Sequence, residues 1–189
     1  SQAADYWANL LRYIGTDMPL TWPTTIAHRL DQVITLHPNS IAVKDGFGSI
    51  YTYAALDQRV DSIARALIGN LPDQSHEQSV VGVFQTPSVD WIASMIAILR
   101  VGAIYLPLDL KVSIPRLKSY VKAARPAVIL SDSDTMALTP NIDISAEKGA
   151  TIINLSDLPF MGQESTQKIA TTARQDRTAY IIFTSGSTG

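Results

Sequence analysis

The sequence predicts an α/β fold, a mainly parallel sheet with helices on both faces. Three observations predict it. The runs Ser79 to Phe84, Ala103 to Leu106 and Ala127 to Ser131 are apolar on successive rather than alternate positions, as strands covered on both sides must be. Segments with apolar residues at helical spacing separate these runs. The resulting order is strand, helix, strand, helix, strand, and repetition of that kind implies right-handed crossovers into a parallel sheet.

The elements follow in chain order. Ala3 to Ile14 reads as a helix carrying Tyr6, Leu10, Tyr13 and Ile14 on one side, and G-T-D-M-P-L-T-W-P is a connector broken by Gly and Pro. A second helix starts near Thr24, keeps Ile26, Leu30, Val33 and Leu36 in register, and stops at Pro38. I-A-V-K-D and S-I-Y-T-Y flank Gly46, Phe47 and Gly48 and predict a β-hairpin. A third helix runs from Ala54 to Ile68, capped by Thr52 or Tyr53 and closed by Gly69 and Asn70; Leu56, Val60, Ile63, Ala64 and Leu67 form its stripe.

L-P-D-Q-S-H-E-Q is a surface loop before the strand Ser79 to Phe84. Thr86 and Pro87 look like the N-cap and first residue opening a helix over Val89 to Val101. After the strand Ala103 to Leu106, Ser113 and Pro115 open a helix reaching Ala124. The strand Ala127 to Ser131 follows, then a weaker strand at Thr151 to Leu155. Ser156 to Arg177 is polar and reads as a long surface connection. Ala179 to Thr184 is the last strand.

Composition narrows the function. The 189 residues are 46% hydrophobic and 17% charged, with a formal charge of −2. That is an ordinary globular balance, able to bury a core. It supplies no basic field for nucleic acid or anionic lipid, so neither is expected as a partner. The absence of cysteine removes disulfides, thiolate metal sites and a cysteine nucleophile from this stretch. Trp91 to Leu108 is long enough to suggest a membrane span, but Arg100, Gly102 and Pro107 interrupt it; a buried helix, a glycine stop and a buried strand explain it better. S-Q-A-A-D-Y-W has no basic-then-apolar signal pattern, and the expected location is cytoplasmic.

The chemistry concentrates in T-S-G-S-T-G, Thr184 to Gly189. Gly186 and Gly189 permit close approach of backbone to a ligand, successive N–H groups can point into one concavity, and Thr184, Ser185, Ser187 and Thr188 add hydroxyl donors. A polyphosphate needs many donors in a small space. It is not a Walker loop, which has wider glycine spacing and continues with Lys. Three charge-assisted hydrogen bonds give roughly 5–9 kcal/mol, while ordering six residues costs roughly 6–12 kcal/mol. The net is near zero, so the loop needs a metal ion, a base pocket and further cations from elsewhere. A Ser/Gly-rich turn or linker is the plain alternative.

Three stretches together resemble a known family. T-A-Y-I-I-F-T-S-G-S-T-G resembles the third core motif of nonribosomal peptide synthetase adenylation domains, members of the adenylate-forming, AMP-binding superfamily. That motif usually continues with a residue, Pro, Lys and Gly. L-R-V-G-A-I-Y-L-P-L-D, Leu99 to Asp109, looks like the second core motif, and Y-T-Y-A-A-L, Tyr51 to Leu56, like the first. I-P-R-L, Ile114 to Leu117, is similar to the helix after the second motif. Val83 to Ala103 looks most like the adenylation domains of fungal polyketide synthase–peptide synthetase hybrids. Ala55, Leu110 and Ala123 depart from the usual Glu, Pro and Asp, which touches packing and capping rather than the phosphate loop.

The resemblance implies residues 1–19 as the linker after a condensation domain and 20–189 as the N-terminal part of the large subdomain, cut at its phosphate loop. It implies that an amino acid carboxylate attacks the α-phosphate of ATP, with Mg2+, and that the acyl group then passes to phosphopantetheine on a carrier domain of the same polypeptide. Thr184, Ser185, Gly186, Ser187, Thr188 and Gly189 would wrap the phosphates, and the catalytic lysine and amino-acid pocket would lie beyond Gly189. No catalytic residue and no metal ligand is expected within the chain, which alone should be inactive. The alternatives are an acyl-CoA or aryl-acid ligase and a non-catalytic remnant acting as an interaction module.

Other polar residues receive plainer readings. His28, His37 and His76 lack metal-ligand spacing. Asp109 reads as a turn cap rather than a catalytic acid. Ser131, Asp132, Ser133 and Asp134 read as a solvated turn, and Trp91 and Met95 as core. Ser185 and Ser187 are not acyl nucleophiles, since G-x-S-x-G is absent.

Overall fold

The computed structural model describes residues 25–46, 48–74, 77–142, 149–159 and 168–184. The helix expected at 3–14 and the linker at 1–19 lie outside these residues. The first described helix, α1 (Ile26–Leu36), is capped by Thr25, whose hydroxyl accepts from His28 N. β1 (Ile41–Lys44) and β2 (Ile50–Thr52) pair antiparallel as the expected hairpin. α2 (Tyr53–Asn70) starts at the Thr52 cap and continues through Gly69 and Asn70 rather than stopping before them. The reason is local: Leu71 N still reaches Leu67 O at 2.8 Å, and the Asn70 amide donates to Ala66 O.

The central sheet contains β3 (Val80–Phe84), β4 (Ile104–Pro107), β5 (Val128–Ser131) and β6 (Thr151–Asn154) in the order β4-β3-β5-β6. Every pairing is parallel. The crossovers are α3 (Val89–Arg100), α4 (Ile114–Ala124) and a short α5 (Ser133–Met136) followed by a 3-10 turn at Thr139–Ile142. Alternate strand residues serve opposite cores. Val81, Val83, Val128 and Leu130 pack with Val60, Ile63 and Leu67 of α2 and Ala93, Ile96 and Ala97 of α3. Phe84, Leu106 and Ile129 pack on the other face with Leu117 and Val121 of α4. Each fully buried large aliphatic contributes about 1.5–3 kcal/mol, so both layers hold the sheet.

Ser88, not Thr86, caps α3: its hydroxyl accepts from Trp91 N, and Pro87 stays outside the helix. Thr86 is engaged elsewhere, as described below. Trp91 and Met95 are 40% and 37% exposed, so they are not core. Burial raises the Tyr105 hydroxyl above its ordinary value, and the Trp91 side chain acts against that shift.

At its other end α3 stops in a Schellman turn. Gly102 N bonds Leu99 O, and Ala103 N bonds Ile98 O. Gly102 has φ +73°, and a Cβ there would meet Thr172 Oγ1 at 3.2 Å. The last residue of α3, Arg100, is 1% exposed. Its guanidinium meets carboxylates from two other helices: Asp31 of α1 at 2.8 Å, Asp57 of α2 at 2.6 Å and Asp61 of α2 at 2.7 Å. Lys168 stands at the rim, 3.4 Å from Asp57.

The same carboxylates collect the returning chain. Ile169 N donates to Asp61, the Thr171 hydroxyl donates to Asp31, and Thr172 N donates to Arg100 O. Within the expected surface connection, residues 168–177 do lie at the surface without helix or strand, but they are tethered at Ile169, Thr171 and Thr172. Burial pushes the Asp61 carboxyl upward, outweighing Ile169 N–H and Arg100, which favour its charged form. Burial also acts to lower the Arg100 value, but Asp57, Asp31 and Asp61 overcome it and hold the guanidinium charged.

Arg100→Ala would leave three carboxylates facing one rim lysine. We expect a loss of about 3–5 kcal/mol in urea unfolding of the described domain, and a loss below about 1 kcal/mol would contradict the clamp.

Candidate functional site

The expected strand Ala179–Thr184 is reduced to a single parallel bridge, Tyr105 with Tyr180. Tyr105 N donates to Ala179 O, and Ile181 N donates to Tyr105 O, both at 2.9 Å. Ladder bonding beyond Ile181 is absent among the described residues; the next residue of β4 that would donate is Pro107, which has no N–H. The segment still lies on the free edge of β4 and runs in the same direction. Thr184 therefore emerges at the carboxyl end of the sheet, where open α/β folds bind ligands.

Side chains anchor this stem. Ile181 and Phe183 face the α4 core, while Tyr180 and Ile182 point away and are 61% and 60% exposed. The Phe183 ring stacks on Tyr120 of α4, with centroids 4.2 Å apart and planes 4° from parallel. One turn nearer the start of α4, the Arg116 guanidinium lies 5.8 Å from the Tyr120 centroid and donates from Nη2 to Thr184 O at 3.3 Å. Thr184 is the only member of the expected phosphate loop among the described residues. Ser185, Gly186, Ser187, Thr188 and Gly189 lie outside them.

Neighbouring junctions at this end are closed by hydrogen bonds. Asp109 behaves as a turn cap: its carboxylate accepts from Lys111 N at 2.9 Å. The Asp132 region is not a solvated turn. Ser131 is fully buried, and Asp132 caps α5 in a reciprocal capping box with Thr135. Its other oxygen accepts from both N and Oγ1 of Thr86 at 2.7 Å each. This ties the β3–α3 loop to the start of α5 and explains why Thr86 does not cap α3. Burial acts to raise the Asp132 carboxyl, but the Thr86 and Thr135 donors outweigh it and hold its value below the ordinary 3.8. The spacing D-x-x-T, Asp132 to Thr135, was the available signal; its second partner, Thr86, lies 46 residues away.

Two open clefts lie at the opposite, amino end of the sheet. One, of about 510 Å³, is lined by Ile68, Leu71, Gln74, Gly102, Thr172 and Arg177. The other, of about 230 Å³, is lined by Ile26, Leu99, Ala103, Arg174 and Ala179. Neither includes Thr184. Among the described residues no group of three His, Cys, Asp or Glu could hold a metal ion, and no helix is long and apolar enough to cross a membrane.

Comparison with known proteins bears on this site. Residues 30–189 match the family described as AMP-binding enzyme. The chain is 49% identical over 176 residues to the hybrid PKS-NRPS synthetase tasS of Hapsidospora irregularis, covering 93% of this chain and 4% of that protein. It is 44% identical over 174 residues to the equisetin synthetase eqxS of Fusarium heterosporum, covering 92% of this chain and 4% of that protein. The chain thus spans about 4% of the length of the curated relatives it matches. Among solved structures, the nonribosomal peptide synthetase FmoA3 in its AMPPNP-bound form superposes with a TM-score of 0.71 at 22% identity, over 91% of this chain and 17% of that one. The N-terminal domain of FACL13 from Mycobacterium tuberculosis gives 0.71 at 18% identity, over 88% and 42%. These structures share the fold.

The Asp132 junction generates a pH-dependent prediction. A depressed carboxyl contributes stability that is full above its unfolded value and lost as pH falls through the folded one. We expect Asp132→Asn to cost about 1–2 kcal/mol at pH 7 in urea unfolding, allowing for partial exposure. The gap from the parent should narrow as pH falls below the ordinary 3.8; a gap constant from pH 7 to pH 3 would refute this assignment.

Proposed function

This chain belongs to the AMP-binding enzyme family, and from that premise we propose that it is the front part of an adenylation domain in a fungal polyketide synthase–peptide synthetase hybrid. The single observation that carries the reading is the stem at Ala179–Thr184. It runs parallel to β4, is pinned through Phe183 and Thr184 to α4, and brings Thr184, the first residue of T-S-G-S-T-G, to the carboxyl end of the sheet, where open α/β folds bind ligands. The high identity to the fungal hybrids favours an amino acid over a fatty or aryl acid as the substrate class.

In this reading an amino acid carboxylate attacks the α-phosphorus of ATP. The bond to the bridging oxygen breaks, pyrophosphate leaves, and an aminoacyl adenylate forms. Negative charge moves onto the leaving group. The hydroxyls of Thr184, Ser185, Ser187 and Thr188 and the N–H groups around Gly186 and Gly189 would receive that charge as preorganised donors. Mg2+ bound with ATP would supply further charge neutralisation. The acyl group would then pass to a phosphopantetheine thiol on a carrier domain of the same polypeptide, with residues 1–19 joining an upstream condensation domain in the cytoplasm.

The lysine and the amino-acid pocket that complete the reaction are assigned to sequence after Gly189. Purified 1–189 should therefore show no ATP–pyrophosphate exchange above background. In the full-length polypeptide, Gly186→Val should lower exchange by about 100-fold or more by obstructing close backbone approach. Exchange by 1–189, or parental kinetics in the Gly186 variant, would defeat the reading.

A further inference from the structure

We propose that Arg116 is a positioning residue for the phosphate loop, holding the loop's first peptide in place before nucleotide binds. The inference rests on the reading that residues 184–189 cradle the triphosphate. The loop's own donors barely offset the cost of ordering it, so a stem already fixed by the fold directly affects binding.

The structure fixes that stem in a short chain of contacts. Arg116 Nη2 donates to Thr184 O. The same guanidinium stands 5.8 Å from the Tyr120 ring, within cation–π range. Tyr120 in turn stacks on Phe183, the residue before Thr184. Arg116 and Tyr120 are four apart and share one face of α4. Arg116, Tyr120, Phe183 and Thr184 thus form a closed loop of contacts through a single helix face. Arg116 is exposed, and its loss removes no core packing. Its contact is with the peptide carbonyl of Thr184, an acceptor that an anion would not use. The guanidinium also brings positive charge to the mouth of a loop that has none in its own sequence, Thr184 to Gly189.

The role predicts selective loss. In the full-length polypeptide, equilibrium titration should show Arg116→Ala binding ATP about 5- to 10-fold more weakly, with AMP binding unchanged, because AMP lacks the β- and γ-phosphates. Arg116→Lys, which keeps one donor and the charge but not the planar face, should fall between the two. The urea midpoint of Arg116→Ala should match the parent, since the side chain is exposed. Gly186→Val is measured alongside. If Gly186→Val weakens ATP binding and Arg116→Ala does not, the positioning role is overturned while the loop reading survives. If Arg116→Ala weakens ATP and AMP equally, the role is also overturned. If Gly186→Val leaves ATP binding intact, the loop reading itself fails and takes this inference with it.

Discussion

Arg100 is the contact on which the rest of the architecture depends. A guanidinium at the buried end of α3 can stay charged only if carboxylates reach it, and here they come from α1 and α2. Once three carboxylates gather there, their remaining lone pairs need donors. The chain returning through residues 168–172 supplies them through Ile169 N–H and the Thr171 hydroxyl. One buried charge thereby fixes three helices and the approach path of the last described segment. Replacing such a cluster with apolar residues can be neutral for stability in some proteins. In this one it also sets the register of a distant stretch of chain, which apolar packing is poorly suited to do.

From that anchor the chain runs toward the opposite end of the sheet. Thr172 bonds the carbonyl of Arg100, the Gln78 side-chain amide bridges Thr178 and Gly102, and Ala179 and Ile181 bond Tyr105. The amino end of the sheet therefore holds the charged clamp and both open clefts. The carboxyl end holds the Asp109 turn, the Asp132 junction and the emerging stem. The described stem therefore ends at Thr184 beside turns that are already closed by hydrogen bonds.

Much of this was legible in the sequence because it depends on local periodicity. Strands apolar on both faces, helices with a single stripe and the alternation between them predicted the parallel sheet and its two cores. Capping was legible where one side chain served one helix, as at Thr52. It was misread at Thr86 and Ser88, where two hydroxyls compete for adjacent roles and the choice is made by Asp132, remote in sequence. Trp91 and Met95 were misplaced for a related reason. Helical spacing shows which residues share a face, but not whether a neighbouring element covers it.

The sequence by itself determined the fold class, the order of its elements and the small-residue loop that suggests a phosphate ligand, because each is written in spacing over a few residues. Tertiary structure alone decided the partners of Arg100, the second task of Asp132 and the pairing of Arg116 with Thr184. Those contacts join residues tens of positions apart. Only chain closure brings them within hydrogen-bond range, and at the buried Arg100 the cost of an unpaired charge makes its carboxylate partners necessary.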